Sequence, residues 1–376
     1  MAENDVAYVE HLTLRDIRCF EAVDLELTSG VTLFVGANGA GKTSLLEAIG
    51  WVARARSFRG VPDGALVRRD HEEAIIRAEV VEGERRQPFA AEIRATGRNR
   101  VLLNGNAVVR TRDLYGLLRV TVFAPDDLQL TKGPPAERRE YLDELLAMLA
   151  PRYDAARSDY DRVLKQRNAL LKGGMRGPDD ESTLAVFDEQ LVRAGGEIVR
   201  GRLRLVARLG PVVDARYTEV SAKDTDAVQG SYQAEWAEAP LDESNVDDAD
   251  DMLRRALAAR RRQECDRGLT LVGPHRDDWR VSLNGLDART QASQGEQRTL
   301  ALALRLGGHE LVREITGVAP VLLLDDVFSE LDPPRANALI ERLPAGQTLV
   351  TTAGAAPEGV EPRRTMRVHD GAVEEL

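Results

Sequence analysis

The chain has 376 residues and a mass of 41.4 kDa, with 43% hydrophobic and 30% charged residues, which is more than one typical domain and enough apolar material for a sizeable core. No run approaches the roughly 18 uncharged apolar residues of a membrane span, the acidic start MAENDVAYVE has no apolar signal core, and Cys19 and Cys265 are too few for a disulfide framework or a zinc site, so a soluble cytoplasmic protein is expected. With 51 basic against 62 acidic residues the net charge is −11, and any nucleic-acid binding has to come from a local patch.

The first forty residues alternate as strands do: Leu12 and Leu14, then Val23, Leu25 and Leu27, then the apolar run Val31–Val35. A helix is predicted from about Lys42, with Leu45, Leu46 and Ile49 on one face. Strands follow at Ala74–Val81 and Phe89–Ala95, and Asn104-Gly105 predicts a hairpin turn between Val101–Leu103 and Ala107–Val109. From Ala136 to Leu171 the pattern is helical and charged, interrupted at Pro151, and a second long helix is predicted from about Thr183 to Val220. Asp224–Asp251 lacks Lys and Arg and reads as an exposed loop or edge, and a basic helix follows at Met252–Arg262. Strands are predicted at Leu269–Val272 and Trp279–Leu283, with a second turn at Asn284-Gly285. A helix at about Glu296–Thr316, the strand Val321–Leu324, a helix after Pro333 and the strand Thr348–Thr352 complete the pattern. The α/β material thus brackets a helical insertion.

Gly36, Ala37, Asn38, Gly39, Ala40, Gly41, Lys42 and Thr43 fit GxxxxGK[ST], after a buried strand and at a helix start. Glycines let main-chain N–H groups wrap phosphates, and the helix N-terminus adds positive potential. Lys42 would reach the β- and γ-phosphates of ATP and the Thr43 hydroxyl would coordinate Mg²⁺. Lys42 is the only lysine before Lys132 in a chain that otherwise uses arginine, and a compact ammonium suits the inside of a phosphate nest.

Val321–Leu324 runs into Asp325 and Asp326. A buried parallel strand delivers its last side chain to the ligand edge, so Asp325 is expected to hold Mg²⁺ through water and Asp326 to orient the attacking water. These two acids lie so far from Lys42 in sequence that the nucleotide core must be split. Ser293, with Glu296 three residues on, reads either as a capping box or as a Ser-x-Gly helix start whose Ser293 and Gly295 offer N–H groups to a γ-phosphate held by a second subunit.

This order of phosphate loop, helical insertion, SQGEQ (Ser293–Gln297), LLLDD (Leu322–Asp326) and SELD (Ser329–Asp332) resembles the ABC-type ATPase heads of the SMC class and, more closely, the RecF family of bacterial recombination mediators. The likeness includes FAPDDLQLTKGPPAERREYLD (Phe123–Asp143), YDRVLKQRNALL (Tyr160–Leu171) and LVGPHRDDW (Leu271–Trp279) and runs nearly the whole chain. It implies an α/β fold, a split P-loop head with a β-rich lobe and an inserted helical arm, divided as 1–125 (head), 126–265 (arm) and 266–376 (head). It implies Ser293 and Gly295 as the signature that completes a partner subunit's ATP site, Ser329-Glu330-Leu331-Asp332 as the D-loop at a dimer interface, and Asp325 as the magnesium acid. It further implies a weak ATPase that forms an ATP-dependent homodimer, binds DNA at gaps or single-strand/double-strand junctions, and promotes RecA loading with RecR and RecO in repair, replication restart and the SOS response. Two departures stand out. Thr351 and Thr352 occupy the place of the switch histidine of transporter-type heads, and Gln129 is an uncertain match to the Q-loop glutamine. The first speaks against a transport ATPase, and arm helices of about 35 residues, reaching about 50 Å, speak against a long SMC-like tether.

Between Trp51 and Arg119 fourteen arginines face nine acids. Arg54, Arg56 and Arg59 just past the phosphate-loop helix are candidates for DNA phosphate contacts, as against an Arg-rich sheet surface of no special role. His275-Arg276-Asp277-Asp278 reads as a catalytic-looking cluster or as a charged loop, with a structural or interface use favoured.

Overall fold

A computed structural model describes residues 6–114, 116–174, 177–221, 226–329, 331–341, 343, 346–354 and 359–376, and the main chain alone at Thr111, Arg112, Pro151 and Pro334. The chain divides into two units: Met1–Asp127 with Glu219–Ala222 and Leu302–Leu376, and Leu128–Thr218 with Lys223–Ala301.

In chain order come β1 (Ala7–Ile17), β2 (Phe20–Glu26), β3 (Gly30–Val35), α1 (Lys42–Arg54), β4 (Glu73–Glu82), β5 (Arg85–Arg94), β6 (Arg100–Leu103), β7 (Asn106–Ala107) and β8 (Val120–Phe123). The second unit holds α2 (Leu128–Lys132), α3 (Pro135–Leu149), α4 (Pro151–Gly173), most of α5 (Pro178–Ser221), β9 (Val228–Gln233), α6 (Ala249–Arg267), β10 (Asp278–Leu283), β11 (Leu286–Asp287) and α7 (Ala288–Gln291). Then come α8 (Gln294–Thr316), β12 (Val321–Asp325), α9 (Pro333–Glu341), β13 (Gln347–Thr352), β14 (Arg364–His369) and β15 (Ala372–Glu375).

The first unit holds two six-stranded sheets, ordered β2-β1-β4-β5-β6-β7 and β15-β14-β3-β13-β12-β8. Strands of the first pair antiparallel and alternate buried with exposed side chains, which is the period-2 pattern of the sequence. In the second sheet β14, β3, β13, β12 and β8 are parallel, and β12 and β13 are buried at every position. Gln347 links the sheets within this unit: its amide accepts from the Val9 N–H (3.0 Å) and donates to the Val9 carbonyl (2.8 Å), as a neighbouring strand would.

Both predicted hairpin turns form, with Asn104 and Gly105 at φ +52 and +77 and Asn284 and Gly285 at +54 and +78, the left-handed pair that a two-residue turn requires. The first is shorter than expected, since only Asn106–Ala107 pairs beyond it. Proline opens both α3 and α4, where its missing N–H costs nothing.

Two expectations are corrected, at Leu269–Val272 and at the end of the second unit. Leu269–Val272 is not a strand, because side chains take its main-chain donors: Thr270 N–H donates to Asn168 Oδ1 (2.8 Å) and Leu271 N–H to Glu264 Oε1 (2.7 Å). The segment expected as loop or edge does contain an edge strand, β9, of the three-stranded sheet β11-β10-β9. The second unit extends to Ala301, not 265, so Ser293 and Gly295 fall in it; the Gln297 amide ties the start of α8 to the Ala288 and Arg289 carbonyls (3.0 and 3.1 Å). The long helix α5 has 44 residues, about 66 Å, and carries Pro211 within it.

The stretches that carried the family resemblance meet inside the second unit as paired charges. Arg138 forks onto Asp278 (2.8 and 3.0 Å), and Arg202 onto Asp143 (2.8 and 3.0 Å). Arg167, fully buried, reaches Asp188 (2.8 Å), Glu264 (2.6 Å) and Thr270 (2.8 Å). Asp277 accepts from the Tyr232 hydroxyl and the Trp236 N–H, both at 2.6 Å. His275 through Asp278 are therefore a structural hub.

Burial lowers the pKa of His309, in α8, to about 4, with the charge of Arg313 adding to it, whereas the unfolded side chain titrates near 6.5. Between those values the unfolded chain binds the proton and the folded chain does not, so stability is lost as pH falls from about 6.5 towards 4, by up to roughly 3 kcal/mol. Asp277, raised to about 6 by burial, acts in the opposite sense between about 4 and 6. The difference between wild type and His309→Leu isolates the histidine. Denaturant unfolding at pH 7 and pH 4.5 should show a smaller acid-induced loss in the variant, and an equal loss in both would reject the assignment.

Candidate functional site

In the parallel sheet β13 lies between β3 and β12, and the register pairs Thr352 with Val35 and Asp325 with Thr351. Three strands thus end level at one edge, the ligand edge of an open α/β sheet. From β3 the chain turns through Gly36–Gly41 into α1. A side chain at Gly36 would meet the Val368 carbonyl oxygen at 2.2 Å, and one at Gly41, φ +108, would meet Cys19 Sγ at 2.5 Å. Ala37, Asn38 and Gly39 form the exposed crest, with Ala40 half-buried behind it. Beneath it Lys42 is buried, its ammonium donating to the Gly36 (2.7 Å) and Ala37 (3.0 Å) carbonyls. The loop is shaped around a positive charge held by neutral acceptors, which phosphate oxygens bind more strongly.

Asp325 Oδ1 accepts from the Thr43 hydroxyl and from the Thr351 hydroxyl, both at 2.8 Å. Thr351 in turn accepts the Asp326 N–H (2.9 Å), and Asp326 sits at φ +50, a backbone conformation in which a non-glycine residue is strained. Burial pushes the Asp325 carboxyl above the usual range; the two hydroxyl bonds and the charge of Arg59 oppose that rise, while the charge of Asp326 adds to it. A threonine hydroxyl against a carboxylate is a hard-oxygen donor pair, which suits Mg²⁺ shared with phosphates and water. Among the described residues no cluster of three or more His, Cys, Asp or Glu could hold a metal by itself. Thr43 and Asp325 are the two residues here that could share a magnesium ion with phosphate and water.

The sequence did not reveal what holds α1 in place. Glu47, fully buried on its apolar face, receives a fork from Arg18 (2.9 to 3.2 Å) and the Ser57 hydroxyl. An acid among Leu45, Leu46 and Ile49 was the available signal. Thr351, which the sequence marks only as standing in the place of a switch histidine, has bonds to Asp325 and Asp326 that the sequence does not reveal. Of the candidate DNA arginines, Arg54 is half-buried with its guanidinium on the Val120 carbonyl (3.0 Å), and Arg56 is half-buried. Arg59 is exposed, and its charge acts on Asp325.

Ser293 and Gly295 stand at the start of α8. Ser293 N–H and hydroxyl both donate to Glu296 Oε2 (2.8 Å each), and Glu296 N–H donates back to Ser293 Oγ (3.3 Å), a capping box that leaves Ser293 exposed. Gln129 is exposed in α2, in the same unit as Ser293. In the expected D-loop the Ser329 hydroxyl donates to the Asp326 carbonyl (2.7 Å) and Asp332 caps α9 by accepting the Arg335 N–H (3.1 Å); Glu330 lies outside the described residues.

A family described as the RecF/RecN/SMC N-terminal domain matches residues 8–355. The chain is 43% identical over 380 residues to the DNA replication and repair protein RecF of Streptomyces avermitilis, covering 98% of this chain and all of that one. It is 44% identical over 384 residues to RecF of Kineococcus radiotolerans, covering 96% and 97%. Among solved structures, the recombination mediator protein RecF bound to ATP, described as part of the RecFOR pathway, superposes with a TM-score of 0.91 at 30% identity over 99% of this chain and 98% of that one. An Smc head domain from Pyrococcus furiosus, at 15% identity and a TM-score of 0.57 over 98% and 96%, shares the fold.

Removing the Thr351 hydroxyl orphans the Asp326 N–H and takes one donor from Asp325. Thr351→Val should cost about 1–3 kcal/mol of stability and raise the Mg²⁺ concentration needed for tight nucleotide binding, with nucleotide affinity in EDTA unchanged. Thr351→Ser keeps the hydroxyl and should restore the Mg²⁺ response. Nucleotide titrations with and without Mg²⁺ decide it, and a Val variant with the wild-type response would leave Thr351 a packing residue only.

Proposed function

The chain belongs to the RecF family, and from that membership we propose a recombination mediator of DNA replication and repair that binds ATP at the Gly36–Thr43 loop and uses it to close two copies of itself on DNA. The observation that carries the proposal is the Thr43–Asp325–Thr351 cluster beneath the loop, which joins the phosphate-binding turn to the acidic strand end. Magnesium bound there would screen the phosphate charges. Lys42 would exchange its two carbonyl partners for β- and γ-phosphate oxygens. Thr43 would turn its hydroxyl to the metal, Asp325 would hold the metal's water, and Asp326 would orient the attacking water.

Ser293 and Gly295 would act on the nucleotide of a second copy, because an exposed helix start presents N–H groups outward. Closure would bring together the arginine-rich strands of two chains around a gapped or junction duplex. Slow hydrolysis at Asp326, one methylene shorter than glutamate, would time the release. RecR and RecO are the partners that the pathway name of the solved relatives suggests, with RecA loading as the outcome. Arg59 serves better beside the phosphates than on DNA, given its effect on Asp325.

The composite pocket can be tested by mixing two variants. Lys42→Met and Ser293→Arg should each abolish turnover alone, the second by obstructing the γ-phosphate while leaving ATP binding by the monomer intact. In the mixed dimer one pocket pairs an intact Lys42 with an intact Ser293, so about half the sites can recover at best. Turnover should return on mixing, with sedimentation confirming the dimer. A stable mixed dimer with no turnover would overturn the shared pocket.

Asp326→Asn should preserve nucleotide binding and lengthen the life of the ATP-bound dimer on DNA. Dissociation kinetics measure this, and an unchanged lifetime together with unchanged turnover would remove Asp326 from hydrolysis.

A further inference from the structure

Within the second unit, α3, α4, α5 and the turn at Pro274–Arg276 line a cavity of about 250 Å³ that no part of the ATP reading uses. Its floor is already satisfied. Asp143 takes both Arg202 bonds and the Tyr153 hydroxyl (2.6 Å), Arg202 also reaches the Pro274 carbonyl (2.8 Å), and the Tyr160 hydroxyl bonds to His275 Nδ1 (2.7 Å). Burial holds His275 neutral near pH 7, its pKa lowered to about 4, and with Nε2 facing the Thr270 carbonyl (3.4 Å) Nδ1 is the acceptor of that bond. Arg157, at the cavity wall, lies against Glu140 (3.3 Å) and Asp143 (3.8 Å).

Two charges in the lining have no such partner. Arg139 is half-buried, yet its side chain bonds only to the Asp277 main-chain carbonyl (2.7 Å), with no carboxylate at ion-pair distance among the described residues. In the same unit Arg138, Arg167 and Arg202 all fork onto acids or bridge them, whereas Arg139, like Arg260, meets only a main-chain carbonyl. Burial and the neighbouring Arg202 lower its pKa, and the more distant charges of Asp277, Asp278 and Asp143 offset that only in part. A guanidinium has five donors, and four of these are unspent. Asp161, exposed where it lines the cavity, has no hydrogen bond or ion pair among the described residues, and burial raises its pKa.

We propose that this cavity is a binding site for a ligand that carries a carboxylate and an ammonium close together, with Arg139 as the carboxylate anchor and Asp161 as the partner of the cation. That is the chemistry of an amino acid, either free or as adjacent acidic and basic side chains of a peptide. The volume suits a group of that size, below the several hundred Å³ of sites for larger organic ligands. Phosphate fits less well than a zwitterion, because Glu140 and Asp143 are matched by Arg157 and Arg202 and a phosphate would leave Asp161 facing an anion with no cation between them. The site does not depend on the nucleotide reading, since every residue it uses lies in the second unit.

Calorimetric titration of the full chain with L-aspartate, a blocked Glu–Lys dipeptide, acetate and inorganic phosphate tests this. Saturable binding is expected for aspartate or the dipeptide, with acetate about tenfold weaker and phosphate silent; which of the first two binds tells a metabolite from a peptide. Arg139→Gln should weaken binding by about 10- to 100-fold, in line with loss of a charge-assisted fork. Arg139→Lys, which keeps the charge without the fork, should fall between. Asp161→Asn should reduce the preferred probe to the level of acetate. If the arginine serves a ligand, Arg139→Gln without ligand melts at or above the wild-type temperature, because an uncompensated cation has been removed. No saturable binding by either probe, or equal binding in Arg139→Gln, overturns the proposal. So does a destabilised Arg139→Gln whose partner variant Asp161→Asn binds like wild type, which would leave the arginine a brace for the Asp277 turn.

Discussion

One carboxylate oxygen ties the nucleotide unit together. Asp325 Oδ1 receives hydroxyls from Thr43, 282 positions upstream, and from Thr351, 26 positions downstream. The three residues stand on α1, β12 and β13, so the bond set fixes the level at which the phosphate loop meets the sheet edge. Parallel pairing of β13 with both β3 and β12 brings the ends to that level, and the long excursion between the halves costs little, since loop-closure entropy grows only with the logarithm of length. A split head is therefore physically inexpensive once its strands can find each other.

What the sequence reveals about this site follows from how local the chemistry is. The phosphate loop is eight consecutive residues whose glycines have steric reasons visible at Gly36 and Gly41, so its spacing carries the information. Asp325 is legible only together with the phosphate loop, because an apolar strand followed by an acidic turn is common by itself. Thr351 is not, because a hydroxyl gains meaning only from the strand beside it. The same holds for Leu269–Val272, whose apolar run suggests a strand while Asn168 and Glu264, distant in sequence, take its donors. Arg54 illustrates the reverse: its place in a basic window suggested a surface role, and the Val120 carbonyl shows it turned inward.

The second unit relies on buried ion pairs to an unusual degree. Burying an arginine and an acid together gains little net stability over a hydrophobic pair, whereas stripping one partner leaves a charge in a poor solvent. Arg167 with Asp188 and Glu264, and Arg202 with Asp143, therefore serve better as registry than as glue: helices α4, α5 and α6 dock where those charges match and nowhere else. Of the stretches that look most like the RecF family, Phe123–Asp143 and Leu271–Trp279 meet directly through Arg138 and Asp278. They encode a charge lock, and the hub at Asp277 holds the turn that the lock encloses.

The resting loop then has a definite energetic character. Lys42 bonds to two carbonyls under the crest, and Thr43 spends its only donor on Asp325. Both bonds are to groups of this chain that a bound nucleotide and its metal would displace. Neutral carbonyls are weaker partners for an ammonium than phosphate oxygens, so exchange at Lys42 is favourable by itself. Exchange at Thr43 differs, because Asp325 loses a donor and regains stabilisation only from a cation. Thr351 limits that loss by keeping its own bond to the same oxygen. On the proposed reading two events at one edge would separate: phosphate capture would need only the loop, and turning Thr43 away from Asp325 would need the metal as well.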